Sequence, residues 1–415
     1  MAHEAMKTRT NASTKIDTWQ RTLYIVAVAQ FLAGAGFSLV FPLLPLYIQA
    51  LGSTTGLSVE LLAGLVFSAQ ALTMMIASPI WGALADRLGR KLMVLRAAFG
   101  GAVLLTLMGF ARSAEELVLL RALQGLITGT VAASNALVAS VTPREHAGYA
   151  LGVLQVALWA GVAAGPLGGG LLADTFGYRT AFLTTGGILF LSALVILFGV
   201  DDDRERTRQQ AQERHLSIWQ EWRHLLSTPG ILLVYALRFV VRLGQSMTAP
   251  VLPLLIQSLT ITGAATATGG VTGSRSLMGT LGAGWLGRVG DRVGHRTVIL
   301  AGGAIVGSML ILHVWAVSVW HILILQSLIG VALGGMTPAL SALLAKYTTE
   351  GEEGAAYGLD NSVVAAARTV APMLGAGVAA SYGLRAPFLL GGLVFLVFVL
   401  ALASLLPRAR SAQPG

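Results

Sequence analysis

The stretch WGALADRLGRK at residues 81–91 returns half a chain later as GRVGDRVGHR at residues 287–296. Both fit one G-x-x-x-D-R-x-G frame, in which Gly82, Asp86, Arg87 and Gly89 match Gly287, Asp291, Arg292 and Gly294 at an offset of 205. Each copy is a short, cation-rich hairpin between two long apolar segments. The echo continues on either side. FPLLPLYIQAL (41–51) recurs as APVLPLLIQSL (249–259), and Gly152, Pro166, Gly177, Arg179 and Phe182 recur as Gly358, Pro372, Gly383, Arg385 and Phe388. A period of half the chain in an apolar protein implies two equivalent membrane-embedded halves, the build of transporters.

Composition sets the class. The chain has 415 residues, 55% of them apolar and 11% charged, with a mean hydropathy of +0.73, more apolar surface than a water-soluble core can use. About twelve apolar runs reach the ~20 residues that cross a bilayer, the first at 21–49 and the last at 385–406. The expected fold is all-α, twelve transmembrane helices in two pseudo-symmetric six-helix bundles. The 50 glycines suit helices that approach closely where lipid gives no hydrophobic drive. The expected domains are a tail at 1–20, a bundle at 21–199, a linker at 200–228, a bundle at 229–407 and a tail at 408–415. In the linker, DDDRERTRQQAQER (201–214) is charged and of mixed sign. The LSIWQEWRHLL that follows (216–226) puts Trp219, Trp222 and Leu226 on one face of a short interfacial helix.

Charge fixes orientation. With the N-terminus inside, twenty cations, Arg96 among them, fall on the cytoplasmic side and only Arg112, Arg179 and Arg385 outside, a strong positive-inside bias. Both termini are therefore expected in the cytoplasm of a bacterial plasma membrane, and the net charge of +9 is a topology signal that also attracts anionic lipid. No basic and aromatic interleaving points to nucleic acid. The chain lacks cysteine, which excludes disulfides and thiolate ligation, and the scattered histidines, including His313 and His321, are expected at interfaces. No cofactor and no metal are expected. The first apolar run is long enough to be an uncleaved span rather than a secretory signal.

Three motifs carry a resemblance. GALADRLGRK at 82–91, RALQG at 121–125 and GVAAGPLGGG at 161–170 are similar to signature motifs of the major facilitator superfamily, and more narrowly of its twelve-helix drug/proton antiporters, over nearly the whole chain. The resemblance implies a cytoplasmic gate of Gly82, Asp86, Arg87, Gly89, Arg90, Lys91, Asp291 and Arg292, with Asp86 latched to the start of the eleventh span. The physical reading agrees: glycines allow close approach and a tight turn, and a carboxylate accepts bonds from a helix N-terminus. The same cations could equally serve topology alone. The resemblance further implies that Arg121 couples protonation to conformation, where position alone permits snorkelling to the outer interface. Because Gln326 stands at the aligned place, only the first half is expected to carry this element. Gly161, Gly165 and Gly169, spaced four apart beside Pro166, form a small-residue face expected to seal against the other half. Pro42, Pro45, Pro250 and Pro253 interrupt the first and seventh spans near their outer ends.

The second half holds what is particular to this chain. Arg238, Arg242, Arg275 and Arg368 fall near mid-membrane, opposed only by Asp360. Each such charge costs about 2.5–3.5 kcal/mol on insertion scales, so these residues are expected to face a wet central cavity together with Gln30 and Asn361. Backbone carbonyls, water and Asp360 could satisfy them structurally, or the cavity could attract anionic amphiphiles. Many members of the resembling group place a carboxylate in the first or fourth span, and here none stands there, which leaves Asp360 as the candidate proton carrier. The expected function is proton-coupled export of hydrophobic or amphiphilic compounds by a monomer. The alternatives are a carrier of one organic anion or a flippase of an acidic lipid, and a membrane enzyme or sensor, for which no catalytic constellation is present.

Overall fold

The structure, a computed structural model, describes residues 18–201, 227–348 and 353–405. Within these ranges only the backbone is described at Thr18, Ala83, Asp86, Arg87, Arg144, Pro229, Asp291, residues 353–355, Ser404 and Leu405. Both tails and the expected interfacial helix at 216–226 lie outside the described residues, as do the side chains of Asp86, Arg87 and Asp291. Everything described is helical or loop.

The first half contains α1 (Thr18–Val40), α2 (Leu44–Leu51), α3 (Val59–Leu88), α4 (Arg90–Met108), α5 (Ala114–Ile127), α6 (Thr130–Val141), α7 (Ala147–Phe176) and α8 (Tyr178–Gly199). The second contains α9 (Pro229–Thr248), α10 (Leu252–Gln257), α11 (Ala264–Val293), α12 (His295–Leu312), α13 (Val319–Tyr347), α14 (Glu353–Tyr382) and α15 (Ala386–Leu405). The pairs α1/α2, α5/α6 and α9/α10 each make one span, giving six spans per half. Both ends of α3 map onto α11 at the same offset of 205, and both ends of α7 onto α14 at 206.

Local chemistry explains the boundaries. Pro42 and Pro45 lack the donors a helix needs, so the first span passes through a 3-10 turn at Phe41–Leu43, and Pro250 and Pro253 divide the seventh. Gly89 (φ 97°) and Gly294 (φ 88°) close the two hairpins in a conformation nearly reserved for glycine. Gly294→Ala is expected to cost about 1 kcal/mol or more, read as a lower melting temperature of the purified protein. Lys91 then donates to the carbonyl oxygens of Leu197 and Val200, at the end of α8. Its counterpart Arg296 donates to Ala403 near the end of α15 (2.9 Å). These hairpin cations thus tie down helix C-termini, where positive charge is favoured.

Three features of the spans go beyond what hydropathy shows. Eleven helical segments among the described residues are long and apolar enough to cross a membrane, and α11 is not among them. Its Gly and Thr residues are pressed between neighbours instead, Gly282 against Val331 of α13 and Gly269 against Pro166 and Leu167 of α7. The fourth span breaks its helix at Gly129 (φ 151°), where the Thr128 hydroxyl donates back to the Gln124 carbonyl (2.8 Å). Arg96, counted with the cytoplasmic cations, lies within α4 and stacks its guanidinium 3.5 Å from the Trp81 ring centroid.

Each half has its own core. One surrounds Tyr47, Phe67, Leu105 and Phe182, the other Ile299, Met336, Phe388 and Phe395. Leu254 and Ala265 of the second half join the first core, so the halves meet at the end away from the Gly89 and Gly294 hairpins. Two seams form there, α7 against α11 and α3 against α14. Gly64 faces Pro372 and Ala376, and Gly170 faces Ala265 and Thr266, each position lacking room for a side chain. At the hairpin end Gly82, Gly148, Gly152 and Gly358 face open space, so the close approach expected at Gly82 is absent here.

Candidate functional site

Three helices of the second half carry the expected charges. Arg238 and Arg242 stand one turn apart on α9, Arg275 on α11, and Asp360 and Arg368 on α14. Arg238 donates to Asp360 (3.1 Å) and to the Ser341 hydroxyl on α13 (2.6 Å). The pair is enclosed, with side chains 13% and 7% exposed, yet it is incomplete: Arg238 Nε and Asp360 Oδ1 are buried with no hydrogen-bond partner. Asp360 is the one acidic side chain among the buried residues described.

Arg242 donates to Gln245 on its own helix (3.0 Å). Four arginines on three helices thus stand against a single described buried carboxylate. Arg368, in the middle of α14, is exposed and makes no hydrogen bond or ion pair with the described residues. Such an excess of positive charge in a low-dielectric setting is costly until water or an anion balances it. Of the two neutral residues expected beside the arginines, Asn361 is exposed on α14. Gln30 does not line open space: it is 2% exposed, with both amide atoms lacking partners, because α1 lies folded against α7 and α8 at that depth.

Arg121 does not snorkel. It is 4% exposed and donates inward to Gln124 of its own helix, to Gln70 on α3 (3.0 Å) and to the Val66 carbonyl (3.5 Å). The second half repeats this contact with the partners exchanged. Arg275 stands 205 residues after Gln70, Gln326 stands 205 after Arg121, and Arg275 donates to Gln326 (3.4 Å). The element expected in one half is present in both, with its charge moved from the fourth-span position to the eighth. It is also extended. His313 Nδ1 donates to the Met309 carbonyl (2.8 Å), which leaves Nε2 to accept from the Gln326 amide (3.1 Å). His313, in the turn that follows α12, is fully buried and stacked on Phe388 (4.8 Å between centroids). The signal for this exchange lay in the sequence, as an arginine and a glutamine trading places at one offset.

The glycine face of α7 serves a different contact from the one expected. Gly161, Gly165 and Gly169 press against Phe31, Ala35, Ser38 and Leu39 of α1, within their own half. The seam to the other half uses the adjacent face, with Ala163, Pro166 and Gly170 against α11. Four-residue spacing identifies a close approach without naming its partner.

Comparison with known proteins decides the family. The family model described as the Major Facilitator Superfamily matches residues 26–241 and 234–415. The chain belongs to the major facilitator superfamily. It is 35% identical over 408 residues to the multidrug resistance protein MdtG of Klebsiella pneumoniae (strain 342), covering 97% of this chain and 98% of that one. To MdtG of Enterobacter lignolyticus (strain SCF1) it is 36% identical over 380 residues, 91% of this chain and 90% of the relative. Among solved structures it resembles a mutant of the nucleoside transporter NupG, with a TM-score of 0.76 at 12% identity over 92% of this chain and 99% of the other. It also resembles the human organic anion transporter MFSD10, with a TM-score of 0.65 at 20% identity and the same coverage. These two likenesses show the fold alone. The protein is thus a multi-pass membrane transporter of this superfamily.

Proposed function

We propose that this superfamily member exports amphiphilic small molecules from the bacterial cytoplasm by alternating access, and that the guanidinium cluster receives their anionic part. Full-length relationship to proteins named for multidrug resistance carries the export reading. The substrate charge is supported by one placement, that Arg242, Arg275 and Arg368 stand within the spans α9, α11 and α14 while the only described buried carboxylate is engaged by Arg238. The positive-inside bias assigns the hairpin end to the cytoplasm. The described conformation, open-faced at the hairpin glycines and sealed at the far seams, then receives substrate from within. Asp86 is the proposed cytoplasmic latch of the opposite conformation.

Proton coupling is proposed at Asp360. The Arg238–Asp360 contact is a single bond with an unbonded oxygen and an unbonded Nε beside it. A proton on Asp360 would weaken it and leave Arg238 to Ser341 and to the visiting anion. Transport by the purified protein in liposomes tests the site. Arg368→Ala, which breaks no bond of the described structure, is expected to slow an anionic amphiphile about tenfold while sparing a cationic one of similar size. Equal effects on both would overturn the assignment of substrate charge.

A further inference from the structure

We propose that Asp174 is the latch of the far end, a carboxylate of one half that caps a helix of the other only while that end is closed. Asp174 lies one turn beyond Gly170 on α7, and its Oδ2 accepts from the Thr266 backbone N–H (2.7 Å) and Oδ1 from that of Ala265 (3.4 Å). Both donors belong to the first turn of α11, whose free N–H groups and dipole favour an anion.

The repeat shows why this cap differs from ordinary helix chemistry. The cap position of α11 is Gly263, left-handed at φ 72°, with no side-chain cap of its own. Two hundred and five residues earlier stands Ser58, whose hydroxyl accepts from Leu61 (3.3 Å) and caps α3 from within. The counterpart of Asp174, 206 residues later, is Ala380, which can cap nothing. One seam therefore joins a self-capped helix to an alanine, and the other joins an uncapped helix to a carboxylate. In the first, opening costs no cap. In the second, separating α7 from α11 strips two N–H groups of their acceptor, so the capping energy adds to closure alone. The latch acts whatever the substrate is, and it stands apart from the arginine cluster.

The cysteine-free chain permits a direct test. Spin labels at Phe176→Cys and Ile261→Cys, both exposed at the far end, report the α7–α11 separation by pulsed dipolar spectroscopy in lipid nanodiscs. Loss of a cap of typical strength moves an equilibrium about fivefold, so Asp174→Ala is expected to raise the ratio of separated to closed molecules by that factor. Asp174→Asn, which keeps an acceptor, should retain most of the closed population. Ser58→Ala removes a cap equally from both conformations and should lower the melting temperature with no change in the distance distribution. An Asp174→Ala distribution matching the parent's would overturn the latch. So would a Ser58→Ala shift as large as that of Asp174→Ala, since the effect would then be general loosening.

Discussion

Asp360→Ala is expected to lower stability by about 3–5 kcal/mol and to abolish transport, because it strands Arg238 as an uncompensated charge in an enclosed site. Ser341 would remain as a partner, but a hydroxyl carries no charge to offset the guanidinium. Removing both charges is a different matter. Replacing a buried ion pair by neutral groups is often close to neutral in stability. The double variant Arg238→Gln/Asp360→Asn should therefore melt near the parent temperature while remaining unable to respond to pH. Melting of the detergent-purified variants and transport in liposomes at pH 6 and pH 8 separate the two roles. A double variant as unstable as Asp360→Ala would show that the pair is not the source of the loss. A double variant with the parent's pH response would remove Asp360 from coupling.

The fold was legible because a repeat states it twice. The matched hairpins at Gly89 and Gly294, both at positive φ, and the matched bounds of α3 with α11 and α7 with α14 follow from an offset readable in the letters alone. Prolines at 42, 45, 250 and 253 likewise announce breaks, since a missing donor acts locally. What depends on a partner was not legible. The spacing of Gly161, Gly165 and Gly169 promises a close neighbour, and only the packing shows that α1, rather than the other half, supplies it. Gly129 looks like one more packing glycine until its φ of 151° reveals a broken span. Arg96 counts as one more cytoplasmic-side cation in the sequence, because a guanidinium stacked on Trp81 leaves no mark in a window average. Among the site residues, depth was readable for Arg238, Arg242, Arg275 and Arg368. Pairing was not: Arg238 takes the carboxylate, and Arg368 takes no partner among the described residues.

The exchanged arginine–glutamine contact leads to the second large effect. Gln70→Leu removes one of the acceptors that hold the buried Arg121, and a bond to a charged group contributes about 1.5–3 kcal/mol, so transport is expected to fall at least tenfold. Arg121→Gln should do comparable damage by leaving Gln70 and Gln124 without the donor they both use. Yet the second half holds a working example of the opposite arrangement, with arginine on α11 and glutamine on α13 at matched positions. If the two helices need a charged fork at this depth and are indifferent to which of them bears it, the exchange variant Gln70→Arg/Arg121→Gln should recover transport to within about threefold of the parent. Double-mutant analysis of transport rates and melting temperatures measures that recovery as a coupling energy. An exchange variant no better than its worse single would mean that the charge must sit on α5. The break at Gly129, one residue beyond the Thr128 hydroxyl bonded back to Gln124, would then be the feature that ties Arg121 to its own helix. The tenth span, unbroken from Val319 to Tyr347, lacks that break, which is a physical reason for its arginine to have a place on the neighbouring helix instead.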